Sequence, residues 1–392
     1  MSFLTEFSHL IYELPHSSIA TRYTPRYRTD MTENSKAEKN ISPSTEQAEQ
    51  HDTASQGPTL FIRMDRIGDL VLTLPADSLC SVSDDSSSVV SPVDWWIAPN
   101  LGFIADHSVP RRRVREIKLK IDRREFKQLL RELKARSYQT AVVFHAPWWV
   151  SPLLWLARIP NRVGVKSQWH SFLFLNKSVR QKRSLAEMSE FAYNMRLVEE
   201  GLGRTPESSE YKPLTLAVNP TWQAETLGDH ELEKNRYSVV HPGMGGSAQN
   251  WPTSHYITWL QEASRSEKIV ITGTATDQAQ LEPIREALAG VKNVTWLDGK
   301  LSGPQLLHVL EGARCILAPS TGVAHLAASL KRPVIGLYSR VRVQSPKRWA
   351  PQGEKVHVLV PEGEFVEKKP GKGNPGDQMD QISIDAVRAL WK

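Results

Sequence analysis

Apolar residues along this chain fall into short continuous runs followed by helical spacing, and the alternation restarts once. The run Thr-Leu-Phe-Ile-Arg from Thr59 predicts a strand, and residues 68–80 a helix interrupted or kinked at Pro75. Residues 93–98, 114–119 and 140–145 predict three more strands, with a helix over 123–136. A second series predicts strands at 237–241, 268–272, 315–318 and 334–337, with helices at 277–288 and 323–330. Strands alternating with helices make βαβ units and a parallel sheet, so an α/β fold of two doubly wound halves is expected. Prolines at 206, 213 and 220 mark the joint, which sets residues 58–220 apart from 221–392. Ligands of such sheets bind outside the C-terminal strand ends, here in the cleft between the halves.

Between the two series and before them, the pattern excludes other arrangements. The longest apolar candidate for a membrane span, residues 141–157, is broken by His145, Pro147, Ser151 and Pro152, and reads as a buried strand and a short helix. The first residues lack a basic region ahead of their apolar ones, so no secretory leader is expected. Only five of the 28 residues from Asp30 to Gly57 are apolar. Residues 1–57 are therefore expected to be a disordered tail.

Composition adds less. Of 392 residues, 40% are hydrophobic and 23% charged, which is ordinary for a globular chain of two domains. Two cysteines, Cys80 and Cys315, form neither a disulfide framework nor a four-ligand zinc site, and fit a reducing compartment. The net charge of +6 is concentrated: from Arg111 to Arg136 twelve Lys or Arg face four acids, and from Arg162 to Arg183 six more occur with no acid. Helical spacing turns Phe126, Leu129, Leu130 and Leu133 inward and leaves Arg123, Arg124 and Lys127 outside. No nucleic-acid-binding motif accompanies this charge, so nucleic acid is not an expected partner. The chain has 12 tryptophans, of which Trp148, Trp149, Trp155 and Trp169 lie beside the basic runs. Core packing is expected for most, with one or two touching acceptor sugars or a membrane interface.

Three segments carry candidate chemistry. In Arg63-Met-Asp65-Arg66-Ile-Gly68-Asp69, Gly68 permits close backbone approach and Asp69 falls in the first helical turn, where a carboxylate either caps the helix or acts as a general base. In His241-Pro-Gly243-Met-Gly245-Gly246-Ser247-Ala-Gln249-Asn-Trp251, the glycine loop offers backbone N–H groups to an anion, or is a plain turn. In Ser320-Thr321-Gly322-Val323-Ala-His325, Ser320 or Thr321 is expected to cap a small-residue helix whose positive end suits a diphosphate. The spacings match neither a P-loop nor a dinucleotide fingerprint, which argues against a nicotinamide dehydrogenase.

Together, in this order, the segments IRMDRIGDLVLTLP, HPGMGGSAQNWP and STGVAHLAASLKRPVIGLY resemble glycosyltransferase family 9, the heptosyltransferases of bacterial lipopolysaccharide synthesis. The resemblance runs from about Thr59 to the C-terminal helix. It implies a GT-B architecture of two Rossmann-like domains, with the acceptor on the 58–220 side and the nucleotide-sugar on the 221–392 side. It also implies inverting transfer without a metal, ADP-heptose as donor, no cofactor, and an anionic glycolipid acceptor met by a cytoplasmic enzyme at the inner face of the inner membrane. By the same resemblance Asp69 is the base, with Asp65 its rival, and Gly68, Arg66, Arg123, Arg124 and Lys127 serve the acceptor. Gly243, Gly245, Gly246, Ser247, Gln249, Ser320, Thr321, Gly322, Val323 and His325 serve the donor.

Two positions depart from the family pattern. Gln249 stands where many members carry a cation, and Ser320 where they commonly carry Asp. Both bear on donor identity. They leave two alternatives: a relative with another nucleotide-sugar, and a catalytically silent nucleotide-sugar or glycan-binding protein.

Overall fold

Continuous aliphatic runs suit strands buried on both faces, and such strands occupy the middle of each sheet. The computed structural model describes residues 21–23, 57–80, 90–166, 169–203, 211–245, 249–367 and 378–391. The first sheet comprises β1 (Thr59–Arg63), β2 (Val90–Ile97), β3 (Arg111–Glu116), β4 (Thr140–His145), β5 (Asn161–Val165) and β6 (Lys177–Val179), in the order β3-β2-β1-β4-β5-β6. All its pairings are parallel. The second comprises β7 (Tyr237–Val240), β8 (Lys268–Ile271), β9 (Val294–Trp296), β10 (Ile316–Pro319), β11 (Val334–Leu337) and β12 (Val356–Val360), in the order β12-β11-β10-β7-β8-β9. Both halves therefore repeat one doubly wound order, reversing direction between β1 and β4 and between β7 and β10.

The expected tail lies outside the described residues except for Gly57 and the strand Thr21–Tyr23, which pairs antiparallel with β12 at the edge of the second sheet. Two differences from expectation have a physical cause. The strand expected at 114–119 is β3, three residues earlier, because an arginine takes an inward position: Arg112 Nε and Nη2 donate to Asp77 at 2.7 and 2.9 Å inside the core. The expected helix over 68–80 splits into α1 (Ile67–Val71) and a tighter 3₁₀ turn, Leu74–Cys80, around Pro75.

Three further helices matter for the site. Helix α2 (Arg123–Arg136) is closed at its N-terminus by a reciprocal Asp122–Glu125 capping box and turns Leu129 and Leu133 inward, as its spacing predicts. Helix α3 (Glu190–Gly201) is capped by Ser189, which accepts from Ala192 N–H at 3.1 Å. Helix α4 (Gly322–Ser329) follows β10. Helices α1 and α4 meet across the cleft: a Cβ at Gly68 would lie 2.8 Å from His325 Cδ2, and one at Gly322 would lie 2.6 Å from Ile67 Cβ. Only glycine at both places lets the two backbones approach this closely.

Candidate active site

The site begins where β1 ends. Arg63, the last residue of that strand, is 3% exposed and spreads its guanidinium among three carboxylates. Its Nε donates to Asp65 Oδ1 at 2.8 Å, its Nη2 donates to Asp69 Oδ1, and its Nη1 lies 3.6 Å from Glu190. Burial works against the guanidinium charge, but Asp65, Asp69 and Glu190 outweigh it and hold Arg63 above its ordinary value.

Glu190 is the hub of a second layer. It accepts from Arg183 and, at 3.0 and 3.1 Å, from Arg348 Nη2 and Nε, an arginine on the short helix Pro346–Trp349 of the second half. Burial pushes its carboxyl up, yet Arg183, Arg63 and Arg348 hold it below the ordinary carboxylate value. Arg183 also donates to Asn194 Oδ1 at 3.1 Å, and Asn194 donates to Thr73 Oγ1 at 2.9 Å; Thr73 in turn donates to the Asp69 carbonyl at 2.6 Å.

Asp69 behaves differently. Burial, aided by the charges of Asp65 and Glu190, outweighs the pull of Arg63 and raises its carboxyl to about 6. It stands in the wall shared by two cavities. One, of about 430 Å³, is lined by Arg63, Asp65, Arg66, His145, Arg183 and Arg348 among others. The other, of about 340 Å³, reaches Ser320, Thr321, Gly322 and His325 across the cleft. A third, of about 460 Å³, continues over His241, Gly245, Asp277 and Val323 toward the second half.

On that far side two buried polar atoms lack a partner among the described residues: Thr321 Oγ1 and His325 Nδ1. Thr321 holds the N-cap position of α4, but against expectation neither it nor Ser320 caps by side chain; φ −136° and ψ 168° at Thr321 go with no side-chain bond to the helix amides. Gly322 and Val323, the first residues of the helix, line these cavities, and the opening amides of a helix have no partner within it. Burial lowers the His325 imidazole to about 4, so it is neutral. The His241 imidazole is likewise lowered to about 4 by burial and is bonded through Nδ1 to Thr272 Oγ1 at 3.0 Å.

The glycine loop departs from expectation in one respect. The amides of Met244 and Gly245 already point at a protein anion, donating to Asp277 Oδ1 at 3.2 Å each, with Gly245 at φ +53°. Gly243 packs on the same carboxylate, where a Cβ would come within 2.4 Å. Gly246 and Ser247 lie outside the described residues. Gln249 is half-buried and lines none of these three cavities, whereas Ser320 lines the second.

Arg66 and Gly68 line the cleft, but Arg123, Arg124 and Lys127 are exposed on α2 and line none of the three cavities. Sequence reasoning gave Arg63 no role although it opens the first motif. Nothing in the pattern pointed to Glu190, Arg183, Arg348 or Asp277, which reach the cleft through chain folding.

Comparison with known proteins agrees with this architecture. The lipooligosaccharide heptosyltransferase 2 of Haemophilus influenzae is 26% identical over 246 residues, covering 60% of this chain and 70% of the relative. The lipopolysaccharide heptosyltransferase 2 of Escherichia coli K12 is 24% identical over 275 residues, covering 68% of this chain and 77% of the relative. The solved structure of the E. coli ADP-heptose lipopolysaccharide heptosyltransferase II superposes with a TM-score of 0.68 at 20% identity, covering 85% of this chain and 98% of that one. That superposition establishes the GT-B fold. The model of glycosyltransferase family 9 (heptosyltransferase) matches residues 126–373, and the chain is a glycosyltransferase belonging to that family.

Proposed function

We propose that this protein transfers heptose from ADP-heptose to a lipopolysaccharide core acceptor, with inversion and without a metal. The observation that carries the reading is Asp69: a half-buried carboxylate, raised to about 6, in the wall between a guanidinium-lined cavity and the start of α4. Asp69 accepts the proton of the acceptor hydroxyl while that oxygen attacks the anomeric carbon. The bond from that carbon to the diphosphate breaks, positive charge builds on the sugar, and the departing diphosphate gains negative charge. The amides at the start of α4, Thr321 Oγ1 and His325 are the groups available to the diphosphate, and donors fixed there favour the transition state over the bound substrate. The 58–220 half serves the acceptor and the 221–392 half the donor. The acceptor places the enzyme at the cytoplasmic face of the inner membrane.

Metal independence has its own support. Arg63 already occupies the centre of the carboxylate group, where a divalent cation would otherwise neutralise Asp65, Asp69 and Glu190.

The test is a mass-spectrometric transfer assay with purified chain, ADP-heptose and deep-core acceptor. A product one heptose heavier supports the reading. Transfer only from a non-adenine nucleotide-sugar would reassign the donor, in line with Gln249 and Ser320. Binding without turnover from any donor would overturn the enzymatic reading.

A further inference from the structure

The tryptophans beside the basic runs are not mainly core residues. Trp149 is 7% exposed, but Trp148, Trp155 and Trp169 are 60%, 51% and 61% exposed. Phe172 and Leu173 join them at 64% and 63%. All five lie on or beside two helices that pack against each other, Val150–Leu156 and Trp169–Phe174. The rings are organised: Trp148 stacks on Trp169 with centroids 6.5 Å apart, and Trp155 tilts on Phe174 at 5.8 Å. A contiguous exposed patch of this kind marks a contact surface rather than scattered surface apolarity.

Its surroundings identify the partner. From Leu133 to Ala186 the chain contains nine Lys or Arg and no acid. Arg158, Lys166, Lys177, Arg180 and Lys182 are exposed there, and Lys166 Nζ lies 4.7 Å from the centre of the Phe172 ring. Interfaces between proteins are depleted in lysine, whereas an anionic lipid surface attracts clustered cations and accommodates tryptophan at its headgroup level. The patch also borders the acceptor side of the cleft. Trp148 follows His145 by three residues, about 10 Å of chain at most, and Lys166 follows Val165; His145 and Val165 both line the cavity that holds Asp69.

We propose that this patch seats the protein on an anionic phospholipid bilayer, with the mouth of the Asp69 cavity turned toward the lipid surface. The link to an acceptor held in that bilayer rests on the function proposed above; the lipid contact itself does not.

Sedimentation of the full chain with phosphatidylcholine vesicles, with and without phosphatidylglycerol, tests it. Binding to the mixed vesicles should be about tenfold tighter than to phosphatidylcholine alone. The Phe172→Ser/Leu173→Ser double variant should lose about tenfold while keeping its melting temperature and its transfer rate on a delipidated, water-soluble acceptor. A second variant, Lys177→Glu/Arg180→Glu, should lose binding to the mixed vesicles only, which keeps the test decisive if the first fails to fold. Wild-type protein that ignores both vesicles, or variants that bind as well as wild type, would overturn the proposal. So would light scattering in which wild type self-associates and the double variant does not, since the patch would then join two copies. Vesicle binding is read without any transfer, so an enzyme inactive on every acceptor overturns the proposed function and leaves this surface to be judged on sedimentation alone.

Discussion

Arg348 of the second half donates to the Glu190 carboxylate of the first half through both Nε and Nη2, at 3.1 and 3.0 Å. Both residues line the cavity that Asp69 also lines. Glu190 is 1% exposed and serves three arginines, so its removal leaves buried guanidinium charge uncompensated. Glu190→Ala is expected to destabilise the protein by about 3 to 5 kcal/mol. Urea unfolding measures this, and Glu190→Gln, which keeps the hydrogen-bonding oxygen, should lose less.

Asp69 and Asp65 share Arg63, and burial raises the Asp69 carboxyl to about 6. Asp69→Asn should lower kcat by about 10²- to 10⁴-fold, and Asp65→Asn by much less. An Asp69→Ala variant with full rate would remove Asp69 from the chemistry. Stability should move the other way. The folded-state value lies above the ordinary 3.8, so the stabilisation that Asp69 gives when protonated is present below 3.8 and lost as pH rises through about 6. At pH 8 the melting temperature of Asp69→Asn should therefore be no lower than that of wild type.

The same value sets the acid limb of the rate profile. A base must be ionised to accept a proton, so kcat/KM should fall below about pH 6, tenfold per unit, and level off above it. Neither His241 nor His325, both near 4, contributes to that limb. A limb near pH 4 would point to a different base.

Donor contacts can be tested at α4. Thr321→Val removes the unpartnered hydroxyl without disturbing a cap, and should raise the donor KM about three- to tenfold with the melting temperature unchanged. Gly322→Ala should instead cost about 1 to 3 kcal/mol of stability, because its methyl would meet Ile67 2.6 Å away across the cleft. Differential scanning fluorimetry with and without ADP separates the two effects.

Activity should survive a chelator. With Arg63 bonded to Asp65 and Asp69, the transfer rate in EDTA is expected to match the rate in added Mg²⁺. Loss of rate in EDTA with recovery on adding Mg²⁺ would overturn metal independence.

Much of this site could be read in the chain because its parts are local. Asp65, Gly68 and Asp69 follow one strand, and Thr321 to His325 follow another, so the strand-turn-helix pattern brought them to the switch points of their sheets. The short strands β5, β6, β9 and β12 escaped notice: each has five residues or fewer, and β5 and β6 mix polar with apolar positions. Glu190 escaped for a different reason. It lies 121 positions beyond Asp69, and a glutamate opening a helix ordinarily signals only favourable placement at the positive end of that helix. The tryptophans misled in the opposite direction, since their size suggested core and three of the four beside the basic runs are more than half exposed.

The carboxylate cluster also has a parity. Asp65, Asp69 and Glu190 share their hydrogen bonds with Arg63, Arg183 and Arg348, three negative groups against three positive ones. Such a set is electrically balanced only while Asp69 is ionised. In the transfer proposed above, Asp69 takes up a proton as the diphosphate leaves on the other side of the same wall, and the set then carries one net positive charge. On that proposal, proton uptake adds one positive charge to a wall that Arg66 also lines, drawing the departing group and coupling the two ends of a single displacement through charge rather than through movement.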